Sequence, residues 1–206
     1  PSIYETNSFL IKNSEPSLIE YAAFFGSIQI FQNLRLNNAD LTPSLWFYAI
    51  HGRNPQIIHI LEDLKIGPPQ KTFEKVLREV IKCHHDEIAN YLIDTQYSDT
   101  NNECNSISKY GIQFYNFQFI QKELNYNSVF SNLCKFCYYE IIETLVNGSK
   151  CDLINSKSLH SAAEKNHYDV IEFLLSKIES ISENSFRKCI SLHKLSIPST
   201  IKSIKK

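Results

Sequence analysis

The sequence contains no methionine, few glycines and prolines, and no long apolar run. Its 5 glycines and 7 prolines exclude a collagen-like or proline-rich chain. The longest uninterrupted apolar stretch is Leu45–Ile50, whereas a membrane-spanning helix needs about 20 residues, so we expect no membrane span in this segment. Because the sequence contains no methionine and begins at Pro1, we expect its natural start to lie further upstream.

The sequence also lacks an excess of charge of either sign. Its formal net charge is -1, with 21% charged and 43% hydrophobic residues. This balance is typical of a folded globular chain and gives no electrostatic reason to expect a nucleic-acid partner. The 6 cysteines are scattered rather than arranged as a compact disulfide framework, which favours reduced thiols and a cytoplasmic location.

Internal repeats are the most informative feature that the sequence does contain. Pro16–Ala22 and Pro43–Ala49 share the pattern P-S-L-x-x-Y-A, and an apolar pair followed by a third apolar residue recurs at a nearly constant distance after each alanine. The same template fits five units, anchored at positions 22, 49, 80, 133 and 162. The spacing of the apolar residues predicts a one-faced helix. Because such short helices must stack to bury their apolar faces, the sequence predicts a mainly α solenoid.

One unit is close enough to a known repeat to suggest a family. Ser158–Leu175 has the sequence SLHSAAEKNHYDVIEFLL, which resembles the ankyrin pattern T-P-L-H-x-A-A-x-x-G-H-x-x-V-x-x-L-L. Ala22–Asp40 keeps the family's glycine, Gly26, and its closing A-D. The other units are similar to diverged ankyrin repeats of large protist gene families. The resemblance implies an ankyrin-repeat domain of helix–turn–helix pairs over residues 1–176.

The helix-ending glycine of the resembled repeat is mostly replaced in this chain. It survives only as Gly26, and the equivalent residues are Arg53, His84, Cys137 and Asn166. Glycine and asparagine tolerate a left-handed backbone, whereas other residues adopt it at a cost of about 1 kcal/mol. We therefore expect the turns at arginine, histidine and cysteine to be wound differently.

The interval between the anchors at 80 and 133 is longer than one unit. It holds either a further degenerate unit or an ordered insertion. Polar residues over 96–108 predict a loop, whereas Phe114, Phe117 and Phe119 predict packed structure after it. This combination favours an insertion at about residues 95–128 with one short helix.

A second, shorter period begins after the last of these units. Ile178–Ile181 recurs as Ile201–Ile204, a shift of 23 residues. Between them, Asn184–Cys189 and Leu195–Ser199 resemble the BspA-like leucine-rich repeat, with its A-F-x-x-C…L-x-x-I-x-I-P signature. The resemblance implies an incomplete leucine-rich repeat over 177–206, poorly ordered unless it packs on the preceding helices. The alternative is a continuing helix, which Pro198 opposes.

No arrangement of residues typical of a catalytic site, a phosphate-binding loop or a cofactor site occurs in the sequence. Cys134 and Cys137 form a C-x-x-C, but the second ligand pair of a zinc site is missing. The only candidate for that second pair along the sequence is Cys83 with the two histidines that follow it. We expect no catalytic residue, no cofactor and no metal. The resemblance to ankyrin repeats implies structural roles for His85, His160 and His167.

Aromatic residues, 12% of the chain, supply the candidate binding surface. Tyr21, Phe25, Tyr48 and Phe136 fall at first-helix positions that ankyrin proteins point outward. They form either an exposed ridge on the concave face or contacts buried between units. The resemblances imply a non-enzymatic protein-interaction module or scaffold with a protein partner of unknown identity. A surface-antigen-like adhesive protein is the alternative, and a C-x-x-C metal or redox protein is a third.

Overall fold

The computed structural model describes residues 5–12, 15–69, 72–96, 101–120, 126–148, 153–178, 180–186, 199 and 201–205. The described residues form twelve α-helices and one two-stranded sheet, which confirms the mainly α prediction. The chain divides into two compact units, residues 1–99 and residues 100–206. No helix in the described part combines the length and apolar character needed to cross a membrane.

The first compact unit contains a short helix followed by successive helix pairs. Its helices are α1 (Ser8–Lys12), α2 (Leu18–Phe24), α3 (Ile28–Leu36), α4 (Leu45–Gly52), α5 (Pro55–Asp63), α6 (Glu74–Lys82) and α7 (Asp86–Gln96). The first helices of neighbouring pairs contact one another, α2 with α4 and α4 with α6. Each first helix also contacts the second helix of its own pair.

The second compact unit continues with helices and ends in two short strands. Its elements are α8 (Asn101–Gln113), a 3-10 turn (Phe117–Phe119), α9 (Tyr126–Lys135), α10 (Tyr139–Gly148), α11 (Ser156–Glu164), α12 (Tyr168–Ser176), β1 (Ser180–Ser182), a 3-10 turn (Glu183–Phe186) and β2 (Ser203–Lys205). Its core lies where α9, α11 and α12 meet, and includes the buried side chains of Phe130, Leu159 and Leu174.

Local sequence explains where the helices begin. The Ser17 hydroxyl accepts the Glu20 N–H at 3.4 Å, and Glu20 Oε2 accepts the Ser17 N–H at 2.8 Å. This reciprocal pair satisfies N–H groups that the start of α2 would otherwise leave unpaired. Asn54 caps α5 by accepting the Gln56 N–H at 3.0 Å, and Pro55 occupies the first helical position, where an N–H is not needed.

Small residues at the anchor positions let the first helices approach one another closely. Ala22, Ala23 and Ala49 are buried where α2 contacts α4. Gly52, the last residue of α4, lies so close to the Ala23 carbonyl that a Cβ would overlap it. A larger side chain at these positions would separate the two helices, because protein interiors leave no room for an added methylene without strain.

The first helices end in a common left-handed turn. Four residues after each predicted anchor, φ is 62° at Gly26, 51° at Arg53, 54° at His84, 59° at Cys137 and 59° at Asn166. At four of these turns the next N–H donates to the anchor carbonyl over 2.9–3.2 Å, the 6→1 bond of a Schellman turn. The expectation that arginine, histidine and cysteine wind this turn differently is wrong for the backbone, since all three have the left-handed φ. At His84 and Cys137 the hydrogen bond and the packing of the helix pair outweigh a backbone cost of about 1 kcal/mol.

The interval predicted as an insertion contains a helix where a loop was expected. α8 covers Asn101–Gln113, so the loop prediction is wrong for residues 101–108. Ile107 and Tyr110 are buried three residues apart on one face of this helix, and the polar residues between them do not prevent helix formation. α8 also ends in a left-handed turn, with φ of 59° at Tyr115 and an Asn116 N–H that donates to the Gly111 carbonyl at 2.9 Å.

The described C-terminal residues form a parallel strand pair instead of a continuing helix. Ser180 lies opposite Ser203, and Ile181 lies opposite Ile204, so the pairing offset equals the 23-residue spacing of the sequence repeat. Ile181 is buried in the core of the second unit, and Phe186 and Ile201 pack against that core. We expected this tail to be ordered only if it packs on the preceding helices, and Ile181, Phe186 and Ile201 do pack there. Most of the segment that resembles a leucine-rich repeat, residues 187–198, lies outside the described residues.

Candidate functional site

The four aromatic residues predicted to form a binding surface differ in how exposed they are. Tyr21 lies on α2 and Phe25 directly follows it, with the two rings stacked at 6.2 Å, and Phe25 is 64% exposed. Tyr48 is buried, with only 4% of its surface accessible, so it is not part of an exposed ridge. Phe136 lies in the second unit, half-buried against its core. Within the first unit, Tyr21 and Phe25 are therefore the two of these residues that a partner could contact together.

A third apolar residue extends this pair into a stripe. Leu18 is 75% exposed and stands three residues before Tyr21 and seven before Phe25, a spacing that places all three on one face of a helix. The opposite face of α2 is buried through Ile19, Ala22 and Ala23. α2 therefore has two apolar faces, one in the core and one in solvent. Sequence reasoning missed Leu18, although its spacing from Tyr21 and Phe25 was a usable signal.

Contacts beneath the stripe hold α2 in a fixed orientation. Glu20, which completes the cap of α2, also accepts a hydrogen bond from the Ser44 hydroxyl at 2.5 Å, so the starts of α2 and α4 are joined. Phe24 packs edge-on to Phe25 at 5.1 Å and stacks on Phe9 at 5.8 Å. The stripe, defined here as Leu18, Tyr21 and Phe25, is consequently supported by packed aromatic rings.

Tyr48 belongs to this support. Its ring meets Phe9 edge-on at 5.3 Å. Burial, together with the charge of the nearby Glu20 carboxylate, raises the pKa of Tyr48 to about 12. Tyr48 therefore keeps its proton at neutral pH and serves as a packed ring.

The same unit brings together a histidine, a carboxylate and a thiol. His51 lies in the last turn of α4, Glu79 lies on α6, and Cys83 directly follows α6. His51 Nε2 is 3.4 Å from Glu79 Oε1, and Cys83 Sγ is 4.0 Å from the same oxygen. The sulfur lies 3.8 Å from His51 Nδ1 and 3.9 Å from Nε2. We refer to these three residues as the His–Glu–Cys cluster.

The electrostatics of the cluster follow from burial and from one lysine. Burial by itself would raise the pKa of Glu79, but hydrogen bonds from His51 and Lys82, together with the Lys82 charge, lower it to about 2. The Lys82 ammonium donates to Glu79 Oε1 at 2.7 Å. Burial and the Glu79 charge raise the pKa of Cys83 to about 11. The cluster is thus an ionised carboxylate beside a neutral thiol at neutral pH.

This cluster could not be recognised from short sequence motifs. Its residues come from two helix pairs, and 28 positions separate His51 from Glu79. The four-residue spacing of Glu79 and Cys83 on one helix face was the only local signal. The predicted absence of a metal site was based on the C-x-x-C, where Cys134 is buried in the core and Cys137 is exposed. Burial raises the pKa of Cys134 to about 12, as expected for a packed, unreactive thiol.

An open cleft of about 540 Å³ lies beside the second and third helix pairs. Its lining includes Arg53, His59, His85 and Tyr91. The His85 ring donates through Nδ1 to the Ile50 carbonyl at 2.7 Å, and burial lowers the pKa of His85. The Tyr91 hydroxyl donates to Glu62 Oε2 at 2.7 Å. These contacts give the histidine and the tyrosine structural roles, joining one helix pair to the next.

Comparison with known proteins identifies no family for this chain. No model of a protein family matches it, and no curated protein matches it at a significant level. Similarity to characterised proteins therefore supplies no function. The exposed stripe on α2 and the His–Glu–Cys cluster are the features from which a function can be inferred.

Proposed function

We propose that this chain is a non-enzymatic protein-interaction module that binds a protein partner through the stripe on α2. The proposed architecture is a set of diverged ankyrin repeats followed by the beginning of a BspA-like leucine-rich repeat. The observation that carries the proposal is the apolar set of exposed Leu18, half-buried Tyr21 and exposed Phe25 along α2, whose other face is already buried.

The exposed stripe supports binding because its surface is costly to leave in water. Burial of apolar surface contributes about 25 cal/mol per Å². Aromatic and large aliphatic side chains held rigidly near the centre of a contact are the residues that dominate interface energy. Phe25 and Tyr21 are stacked and supported by Phe24, so little side-chain entropy is lost when a partner covers them. The surface is therefore suited to an apolar groove or helix face on another protein.

Recurring contacts between helix pairs support the ankyrin-type assignment. The residue after the left-handed turn bonds back to the preceding pair in both compact units. Asn54 Nδ2 donates to the Gly26 carbonyl at 2.9 Å, and His85 donates to the Ile50 carbonyl. His167 Nε2 lies 3.0 Å from the Lys135 carbonyl. These three links join neighbouring helix pairs inside the compact units, as stacking in a solenoid requires.

Two further observations support the remaining parts of the proposed architecture. The turn at Tyr115 has the same left-handed φ and the same 6→1 hydrogen bond as other first-helix ends. This similarity favours a sixth, degenerate repeat over an unrelated insertion. The parallel pairing of Ile181 with Ile204 has the period of the sequence repeat. Successive leucine-rich repeats place one strand per repeat side by side, so this register is the one expected of two consecutive repeats.

The proposal is tested with a matched pair of leucine substitutions. Leu18 and Leu36 are both 75% exposed, but only Leu18 belongs to the stripe. Immobilised parent protein, Leu18→Ser, Phe25→Ser and Leu36→Ser are used to capture proteins from an extract of the source cells. We expect the parent and Leu36→Ser to retain the same protein, and Leu18→Ser and Phe25→Ser to lose it.

The affinity of that partner is then measured directly. Loss of a central anchor costs about 2 kcal/mol, which corresponds to about 30-fold weaker binding. Equal affinity of Leu18→Ser and Leu36→Ser would show that the stripe is not the binding surface. Circular dichroism of each variant verifies that the helices remain folded.

A further inference from the structure

The His–Glu–Cys cluster presents three different metal-binding atoms from two neighbouring helices. α4 supplies an imidazole nitrogen, and the end of α6 supplies a carboxylate oxygen and a sulfur. Glu79 and Cys83 are four residues apart and therefore lie on one face of α6, directed at α4. Nitrogen, oxygen and sulfur donors are the set from which zinc sites are built.

The distances among the three donor atoms fit a single metal centre. They are 3.4 Å for His51 Nε2 to Glu79 Oε1, 3.9 Å for Cys83 Sγ to His51 Nε2 and 4.0 Å for Cys83 Sγ to Glu79 Oε1. A point equidistant from the three atoms lies about 2.2 Å from each, within the 2.0–2.3 Å range of zinc bonds to these donors. The donors therefore need only small shifts to share one ion.

Surrounding side chains keep the donors in place and partly out of water. The His51 ring lies 4.2 Å from the Phe9 ring and 5.2 Å from the Phe24 ring. The His51 and Glu79 side chains are only 17% and 11% exposed. Such fixed, partly desolvated donors lose little entropy when they bind a cation.

We propose that His51, Glu79 and Cys83 form a binding site for one zinc-like divalent cation, with the fourth position open to water. The thiolate and imidazole donors favour zinc over the hard cations magnesium and calcium, which prefer oxygen ligands alone. The bound ion joins α4 to α6 and so links the second helix pair to the third. This role is independent of whether the stripe on α2 binds a protein.

Lys82 already pairs with the carboxylate that would bind the cation. Its ammonium contacts Glu79 Oε1 at 2.7 Å, and the lysine side chain is 47% exposed. It can therefore swing into solvent when a divalent ion binds the carboxylate. One divalent ion is balanced by the glutamate and a cysteine thiolate, so the occupied site carries no net charge.

Cobalt(II) provides a direct probe of the site because it replaces zinc and absorbs light. Titration of the reduced, metal-free protein with cobalt(II) should give sulfur-to-cobalt charge-transfer absorption and tetrahedral d–d bands that saturate at one ion per chain. Zinc should bleach these bands. Added zinc should also raise the melting temperature, since an ion that binds only the folded state stabilises it by mass action.

The variants assign the signal to the proposed ligands. Cys83→Ser should lose the charge-transfer band and weaken zinc binding by more than the 10–100-fold that is typical of losing an outer-shell partner. Glu79→Gln should weaken zinc binding as well. Cys137→Ser, which removes an exposed thiol elsewhere in the chain, should leave the spectrum unchanged. Lys82→Gln should bind zinc at least as tightly as the parent.

The proposal is overturned if no charge-transfer band appears in the parent protein, or if the band persists in Cys83→Ser. Weaker binding by Lys82→Gln would also contradict it. Because serine is nearly isosteric with cysteine, Cys83→Ser tests the site without removing packed volume. The far-ultraviolet circular dichroism of the metal-free variants verifies that a lost signal does not reflect lost structure.

Discussion

Residues with a left-handed backbone end the first helices, and most of them are not glycine. Arg53, His84, Tyr115, Cys137 and Asn166 all have φ between 51° and 59°. A residue with a Cβ other than asparagine adopts this conformation at a cost of about 1–2 kcal/mol. At His84, Tyr115, Cys137 and Asn166 a 6→1 hydrogen bond, together with the packing of the helix pair, offsets this cost.

Cys137 is a position where a substitution can remove the backbone cost of the left-handed turn without disturbing packed side chains. It is exposed, so Cys137→Gly removes backbone strain without opening a cavity. Relief of about 1–2 kcal/mol of strain is partly offset by the greater freedom of glycine in the unfolded chain, about 0.4–1 kcal/mol. We expect a net stabilisation of about 0.5–1 kcal/mol in urea denaturation. Cys137→Ala keeps the Cβ and should leave the stability unchanged.

Gly26 should respond in the opposite direction. It has a φ of 62°, and a Cβ placed there would lie 2.5 Å from the Gly52 carbonyl oxygen. Gly26→Ala should therefore destabilise the protein by about 2–4 kcal/mol, through backbone strain and overlap with α4. Equal stability of Gly26→Ala and the parent would show that the two helix ends do not approach so closely.

At the scale of elements, side chains at the start of second helices join neighbouring helix pairs. His167 precedes α12 and donates to the Lys135 carbonyl at the end of α9. His167→Ala would leave that carbonyl without this partner, and we expect a loss of about 1–2 kcal/mol in chemical denaturation. His167→Asn should recover part of the loss, because Asn54 makes the corresponding bond with an amide. An alanine variant as stable as the parent would contradict this role.

At the scale of the whole molecule, the C-terminal strands belong to the second compact unit. Ile181 of β1 is 4% exposed and lies in the same core as α11 and α12. Ile181→Ala should reduce the free energy of unfolding by about 2–4 kcal/mol, as expected for truncating a buried isoleucine.

Ile141 of α10 provides the control for this measurement. It is 40% exposed and lies in the same unit, so Ile141→Ala should cost less than about 1 kcal/mol. Equal effects of the two substitutions would mean that the strand does not contribute to the folded core. Denaturation followed by circular dichroism distinguishes the two outcomes.

Sequence periodicity determined the helical character of the chain and the positions of the first-helix turns. Each turn lies at a fixed distance along the chain from its anchor. The left-handed residue therefore follows four positions after each of the anchors at 22, 49, 80, 133 and 162. The 23-residue repeat likewise equals the register of β1 and β2. Both are local or periodic features, and such features are readable without a fold.

Only the tertiary structure decided which side chains are exposed and which residues meet. Tyr21 and Tyr48 occupy equivalent places in the P-S-L-x-x-Y-A pattern, yet Tyr48 is buried because α1 brings Phe9 against it. α8 forms despite its polar sequence because its apolar residues Ile107, Tyr110 and Ile112 are buried by tertiary packing. His51 approaches Glu79 and Cys83 only where α4 packs on α6. Burial and distance between donors depend on how helices from separate segments pack, and a linear pattern does not specify that packing.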